Sequence, residues 1–274
     1  MQILHAGELD RFHREFYLKN RPVIIRGLRE QEPRRIFDWS AALLTERMGD
    51  KVVPVISTQT GFLSYEREFV SMRFAEFALR LLGPPAADGL RYYFKNPTTL
   101  LPEGLDDSES IGPLRRYIRA AVARNLWISG SGLTVGMHFD PADNLNFALR
   151  GRKSFLLFPP GVRAYYPLPM FSQTAHISRV FRDGPVADLA RFPRFDPSKG
   201  EQVELQAGEL IYIPAYWWHQ VESLGPENVN LNCWWLPKLR KQIRHPNQAL
   251  RGHAQVLLRL LRHGNLQQTP APKH

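Results

Sequence analysis

The sequence is nearly without cysteine, with a single thiol, Cys233, in 274 residues. One cysteine cannot close an intrachain disulfide, which excludes a disulfide-stapled scaffold, and it leaves too little sulfur for a Cys-rich zinc site. Any bound metal must therefore be held by nitrogen and oxygen. No apolar run approaches the ~18 residues of a membrane span. The opening stretch Met1 to Phe16 meets charge within its first ten residues and has no apolar core of a secretory leader. The expectation is a cytoplasmic protein without membrane contact. There is no internal repeat, no Gly/Ser-rich linker and no low-complexity tract before the last few residues, so a solenoid and a string of tethered domains are excluded as well.

What is present suits one globular domain. Hydrophobic residues make up 43% of the chain and aromatic residues 11%, enough for a substantial core. The formal charge is +10, which would suit an anionic partner. The 36 Lys and Arg are nevertheless scattered in short fragments rather than gathered in a basic arm, and they read as a solvated, Arg-rich surface.

Periodicity divides the chain further. Leu9, Phe12 and Phe16 fall at helical spacing in residues 7–18, and the β-branched run Val23 to Ile25 reads as a strand. Trp39–Met48 and Met72–Leu82 read as amphipathic helices, with a short strand at Val52–Ile56 between them. From Leu90 onward come short apolar strands at Arg91–Phe94, Leu126–Ile128, Leu145–Leu149, Ser154–Phe158, Val203–Leu205, Leu210–Ile213 and Val229–Trp235. Strands this short, interrupted by Gly, Pro and Asp, predict a sandwich or barrel of antiparallel sheets. Between Pro159 and Gly200 lies an aperiodic insertion of the kind that grips substrates at a barrel mouth.

The organisation expected is a domain over 1–245, a C-terminal helix over 246–264 and a flexible tail over 265–274. On that helix Leu250, Ala254, Leu257, Leu258 and Leu261 share one face, Arg251, Arg259 and Arg262 lie elsewhere, and Gly264 is a natural stop. The apolar stripe must be covered by the helix's own domain or by the same helix of a second subunit, and a homodimer through this element is expected.

The chemistry is concentrated in Gly136-Met137-His138-Phe139-Asp140-Pro141-Ala142-Asp143-Asn144, in Gly151-Arg152-Lys153, and in Tyr212-Ile213-Pro214-Ala215-Tyr216-Trp217-Trp218-His219. Residues i and i+2 of a strand share a side, so His138 and Asp140 can offer an imidazole and a carboxylate to one metal ion. His219, from a distant strand, can supply the third ligand. Two histidines and a carboxylate on one face of an octahedron leave positions open opposite, as non-haem Fe(II) oxygenases require. Trp217 and Trp218 would wall the ion from water, with Trp218 lining the substrate pocket.

These blocks together, with Phe158-Pro159-Pro160 after Lys153, resemble the cupin-like JmjC oxygenases. Within that family they are similar to the asparaginyl hydroxylase acting on hypoxia-inducible factor and to the tRNA wybutosine hydroxylase. The resemblance covers most of the chain, with Arg21-Pro22-Val23-Ile24-Ile25-Arg26-Gly27 similar to the family's first strand, Met72-Arg73-Phe74-Ala75-Glu76-Phe77 to a helix before the barrel, and Arg191-Phe192-Pro193 to its inserted loop. It implies a mainly β fold, a double-stranded β-helix of the jelly-roll or cupin type with flanking N-terminal and C-terminal helices. It also implies Fe(II), 2-oxoglutarate and O2.

Carried over by position, Lys153 matches the lysine that receives the distal carboxylate of 2-oxoglutarate. An ammonium in an apolar barrel needs such an anionic partner. Tyr93 matches a tyrosine that helps hold this carboxylate, although Tyr92 lies beside it and only one of the two can face inward. Asn144 and Asn232 match asparagines of the co-substrate pocket, Trp234 an aromatic beside it, and Thr134 a hydroxyl residue before the first ligand, one residue further from it than in the asparaginyl hydroxylase. The activity implied is hydroxylation of a peptide or protein side chain with release of succinate and CO2. RNA hydroxylation and a non-catalytic metal-binding cupin are the alternatives.

Overall fold

The computed structural model describes residues 1–263 apart from 32–33, 64–67, 84–88, 104, 182–183 and 185. Gly264 and the tail 265–274 lie outside the described residues, as do the side chains of Arg259 and Arg262. The strands are β1 (Gln2–His5), β2 (Val23–Arg26), β3 (Val52–Thr58), β4 (Phe62–Leu63), β5 (Glu68–Arg73), β6 (Arg91–Pro97), β7 (Ala123–Ser129), β8 (Leu133–Phe139), β9 (Asp143–Arg150), β10 (Arg152–Phe158), β11 (Glu201–Gln206), β12 (Leu210–Ile213), β13 (Trp218–Ser223) and β14 (Asn228–Trp235). Among the described residues they form a nine-stranded sheet in the order β1-β2-β12-β9-β14-β7-β6-β3-β5 and a five-stranded sheet in the order β11-β10-β13-β8-β4. Nearly every pairing is antiparallel, the exceptions being β1 with β2 and β4 with β8. Two facing antiparallel sheets with these crossovers are the jelly-roll expected.

The helices are α1 (Leu28–Gln31), α2 (Ala41–Met48), α3 (Phe74–Leu82), α4 (Arg115–Arg119), α5 (Leu239–Arg244) and α6 (Pro246–His263). Helix α2 starts where the Ser40 hydroxyl accepts from the Leu43 amide at 3.1 Å, a cap that contributes about 1 kcal/mol. The expected helix at Met72 begins two residues later, because Met72 and Arg73 still pair with Val53 and Val52 in the sheet. The segment after β1 keeps Leu9, Phe12 and Phe16 buried as expected, but as a 3-10 stretch (Ala6–Arg11) followed by a π-type turn (His13–Tyr17) rather than an α-helix.

Strand alternation sorts the side chains of the large sheet. Leu145, Phe147 and Leu149 of β9 and Leu231, Cys233 and Trp235 of β14 face the helical layer and join the main core with Trp39, Phe74 and Phe77. Asn144 and Asn146 of β9, and Asn230, Asn232 and Trp234 of β14, alternate with them and so face the interior between the sheets. The outer face of the small sheet is covered by the insertion after β10. Tyr165, Val180, Phe181, Phe192 and Phe195 pack there against Phe139, Phe158 and Trp218, so this segment has a core of its own despite its lack of period.

Helix α6 forms as expected but docks by a different face. Gln248, Ala249, Gly252 and Gln255 are the buried positions; Gly252 lies so close to Pro141 that a Cβ there would stand 2.4 Å from the proline ring. The Gln248 side chain donates to the Tyr216 carbonyl at 2.7 Å and accepts from the Gly161 amide at 3.1 Å. Leu250, Leu257 and Leu261 of the predicted stripe are exposed, together with Leu239 and Ile243 of α5.

Candidate metal and co-substrate site

His138 on β8 and His219 on β13 are direct cross-strand partners, with ring centroids 4.3 Å apart. Asp140 stands just beyond the end of β8, and its Oδ2 lies 3.8 Å from His219 Nε2. That separation is too long for a hydrogen bond and less than twice a metal–ligand bond of about 2.1 Å. One potential ligand atom from each of the three side chains falls within a 4.8 Å span. His138 Nδ1 lies 2.9 Å from the Gly136 carbonyl and His219 Nδ1 lies 3.1 Å from the Trp217 carbonyl. A carbonyl only accepts, so both Nδ1 atoms carry the proton, and each Nε2 presents the lone pair a metal needs.

A bulge makes this arrangement possible. Along β13, His219 pairs with His138 and Val221 with Val135, so Gly136 and Met137 together oppose the single residue Gln220. A Cβ at Gly136 would come within 2.9 Å of the Phe62 ring. The extra residue inverts the alternation beyond it: Leu133 and Val135 pack inward with Tyr93 and Trp127, and Thr134 between them points outward. Thr134 is thus corrected, since four residues before His138 it would share the ligand's face only in an unbulged strand. Trp218 is corrected for a related reason. As the neighbour of His219 it faces the other way, into the cluster under the insertion, where its indole donates to the Gly161 carbonyl at 2.7 Å. Trp217 stays half-buried against the interior cluster around Phe155 and Ile213, with its indole on the Asn20 carbonyl at 3.0 Å.

The two adjacent tyrosines separate cleanly. Tyr93 faces the interior, and Tyr92 faces the helical layer, where its hydroxyl accepts from Arg80 at 2.9 Å. Tyr92 therefore drops out of the pocket. Lys153 sits on β10, just after the turn at Gly151, whose φ of +76° and whose contact with the Glu227 carbonyl admit only glycine. Its ammonium lies 5.7 Å from the centre of the Tyr93 ring. Lys153 is 3% exposed, no carboxylate pairs with it among the described residues, and burial pushes its pKa down to about 7.

The interior asparagines couple in two pairs. Asn232 donates to Asn144 at 3.2 Å, and Asn230 donates to Asn146 at 3.0 Å. The second pair was not anticipated from the sequence, although Asn146 and Asn230 stand two residues from Asn144 and Asn232, the spacing that keeps a strand face. Three buried polar atoms on this side have no partner: Asn230 Oδ1, Asn232 Oδ1 and Trp127 Nε1. Orphans of this kind cost about 1–3 kcal/mol each unless a bound molecule satisfies them. Together with the unpaired ammonium they suit an anionic, hydrogen-bonding ligand.

Trp234 has a more definite place than beside the pocket, because its indole N–H donates to Asp140 Oδ2 at 3.1 Å. It orients the carboxylate of the triad. Trp234→Phe, which keeps the ring and removes the donor, is expected to weaken metal binding about 10–100-fold in a chelator competition while leaving the far-UV spectrum unchanged.

Asp143, though within the same motif, belongs to the opposite face of β9. Its Oδ1 accepts from Tyr212 Oη at 2.7 Å, from the Ala215 amide at 3.1 Å and from Lys241 Nζ at 2.5 Å. This buried ion pair fixes the turn Pro214–Trp217 that leads into His219, and Tyr216 in that turn, at a φ of +73°, is held by the hydrogen bond its amide N–H donates to the Asp140 carbonyl. Lys241→Met would leave the Asp143 carboxylate buried and uncompensated. A loss of about 3–5 kcal/mol in denaturant unfolding is expected.

The family model described as "Cupin-like domain" matches residues 9–241. The chain belongs to this cupin-like family. Among curated relatives it is 26% identical over 254 residues to the human (Homo sapiens) "Bifunctional peptidase and (3S)-lysyl hydroxylase JMJD7", covering 82% of this chain and 80% of that protein. It is 37% identical over 112 residues to the Rattus norvegicus "HSPB1-associated protein 1", covering 40% of this chain and 23% of that one. Against the Arabidopsis thaliana "Lysine-specific demethylase JMJ31" the identity is 32% over 114 residues, 40% of this chain and 20% of the relative. In these last two the matched part is about a fifth to a quarter of the relative's length. The narrower likeness to the asparaginyl and tRNA hydroxylases rests on the motifs alone.

Proposed function

We propose that the protein is an Fe(II)- and 2-oxoglutarate-dependent oxygenase that hydroxylates a side chain of a peptide or protein. The observation that carries the reading is the buried, unpaired Lys153 ammonium on the interior face that also bears the His138, Asp140 and His219 cluster. A structural metal site would have no use for a second, anion-seeking group at that depth. Similarity to a protein described as a lysyl hydroxylase makes a lysyl residue the first side chain to test.

When bound, the iron and its co-substrate supply the oxidation: one oxygen atom of O2 enters the substrate C–H bond as hydroxyl, and the other enters succinate as 2-oxoglutarate loses CO2. The chain's own contribution is placement and dryness. His138, Asp140 and His219 would hold the ion, and the protons on both Nδ1 atoms would keep the Nε2 lone pairs free for it. Lys153 fixes the far carboxylate of the co-substrate, and Tyr93, Asn144 and Asn232 line its path. Phe155, Leu157 and Ile213 exclude water from behind. Asp140 has 22% of its side chain accessible against 4% for His219, and His138 is also only partly buried, so substrate approaches from the side of His138 and Asp140 rather than past His219.

Anaerobic addition of Fe(II) and then 2-oxoglutarate is expected to produce a weak visible charge-transfer band. With O2, a peptide panel should yield succinate and a mass increase of one oxygen on a lysyl-containing member. A protein that binds Fe(II) but gives no band with 2-oxoglutarate would be a metal-binding cupin of another kind.

A further inference from the structure

Lysines and arginines that are scattered in sequence come together in space away from the metal site. Arg115, Arg116 and Arg119 of α4 line a groove of about 580 Å³ with Leu9, Asp10, Gly112 and Pro113. From there a continuous series of contacts leads across the surface. Arg116 donates to the Tyr117 hydroxyl at 2.6 Å, that oxygen lies 2.8 Å from His13 Nδ1, and the His13 ring lies 5.4 Å from Tyr17. The Lys238 ammonium is 5.7 Å from the Tyr17 ring centre, and Arg240 follows on α5. Burial, with the nearby charges of Arg116, Lys238 and Arg240, holds His13 below its usual pKa.

Several arginines elsewhere on the surface are matched to acids: Arg11 with Glu8 and Glu15, Arg80 with Glu76, Arg124 with Asp106 and Glu109, and Arg150 with Glu227. Along this track Arg119 approaches Glu109 at 3.6 Å, but Arg115, Arg116, Lys238 and Arg240 form no ion pair with any described residue, and all four are exposed. Exposed like charges gathered with few acids between them raise the local potential and attract an external anion.

We propose that this track is a docking surface for the phosphodiester backbone of double-stranded RNA, separate from the metal site. A track of cations fits a repeating anion better than a single phosphate, and arginine forks match phosphate oxygens. The aromatic residues beneath it, Tyr17 and Tyr117, are buried and offer no face on which a base can stack. Recognition is therefore of backbone and shape, without sequence preference. Asp10 is the one carboxylate in the groove. It would repel a phosphate but can accept from a ribose 2′-hydroxyl, which favours RNA over DNA.

The test is fluorescence anisotropy of the full-length protein with labelled 20-base-pair RNA and DNA duplexes of one sequence and with a polyglutamate peptide. Four phosphate contacts predict that RNA affinity falls roughly 100-fold between 50 and 200 mM salt. Arg115→Glu/Arg240→Glu, two positions without a side-chain hydrogen bond to a described residue, is expected to weaken RNA binding at least tenfold with an unchanged thermal midpoint and an unchanged Fe(II) and 2-oxoglutarate band. Asp10→Ala should remove the preference for RNA over DNA. Absence of RNA binding, insensitivity to salt or to the double substitution, or equal affinity for polyglutamate would each overturn the proposal. Equal affinity of the unmodified protein for DNA would overturn the assignment to RNA.

Discussion

Asp140→Ala is expected to abolish succinate release, by about a thousandfold or more, with little change in thermal stability. The carboxylate is one of the three side chains that, among the described residues, can hold the ion, and a bound metal supplies several kcal/mol of transition-state stabilisation, which is about a thousandfold in rate. The stability half of the expectation follows from what Asp140 does in the fold. Its side chain accepts one hydrogen bond, from Trp234, and the backbone contact to the adjoining turn, from the Tyr216 amide to the Asp140 carbonyl, uses the main chain instead. His138→Ala should likewise abolish succinate release, since it removes one imidazole of the triad. Isothermal titration with Fe(II) under argon separates lost binding from misplaced binding. Full succinate production by either variant would remove the triad from the mechanism and with it the assignment to this class of oxygenase.

The ligand triad was legible in the sequence because its logic is local. A His-x-Asp pair at a strand end and a histidine after an aromatic turn need only the two-residue period of a strand to be placed together. The same period placed Tyr93 or Tyr92 inward without saying which, and the register of β6 against β7 decides for Tyr93. What could not be read was anything that breaks the period. The bulge at Gly136 and Met137 is one extra residue in one strand, set by its pairing with β13, and it alone turns Thr134 outward. The insertion after β10 is aperiodic and still carries a core, because its aromatic residues meet Trp218 and Phe139 through tertiary contacts rather than along an element.

The C-terminal helix shows the converse. Its amphipathic stripe was correctly located, but amphipathicity gives a face and not a partner, and the domain instead holds α6 through Gln248, Gly252 and Gln255. Close approach at a glycine and two hydrogen bonds of the Gln248 side chain replace the leucine packing that the pattern suggested. The scattered basic residues make the same point about charge: segments near residues 13, 116 and 238 are far apart in sequence, and only the folded chain, with α4 packed on β14 and Arg116, Lys238 and Arg240 near His13, gathers them.

Lys153→Met separates stability from function most sharply. In the unfolded chain a lysine holds its proton to about pH 10.4, whereas burial lowers the folded pKa of Lys153 to about 7. Between these values the unfolded state binds the extra proton, so the lysine's cost to the fold shrinks as pH rises through the window and is fully present below about 7. Methionine, similar in length and without charge, is thus expected to raise the thermal midpoint of the ligand-free protein at neutral pH. It should also raise the KM for 2-oxoglutarate about 100-fold or more, since a buried carboxylate would lose its charged partner. The pH profile isolates the cause. A dianionic ligand selects the protonated amine, so in the unmodified protein the KM should climb about tenfold per pH unit above the folded pKa of about 7, with proton uptake on binding. In Lys153→Met that slope should vanish. A stabilised variant with an unchanged KM would show that the buried ammonium serves some other anion, and the co-substrate assignment would fall while the metal triad stood.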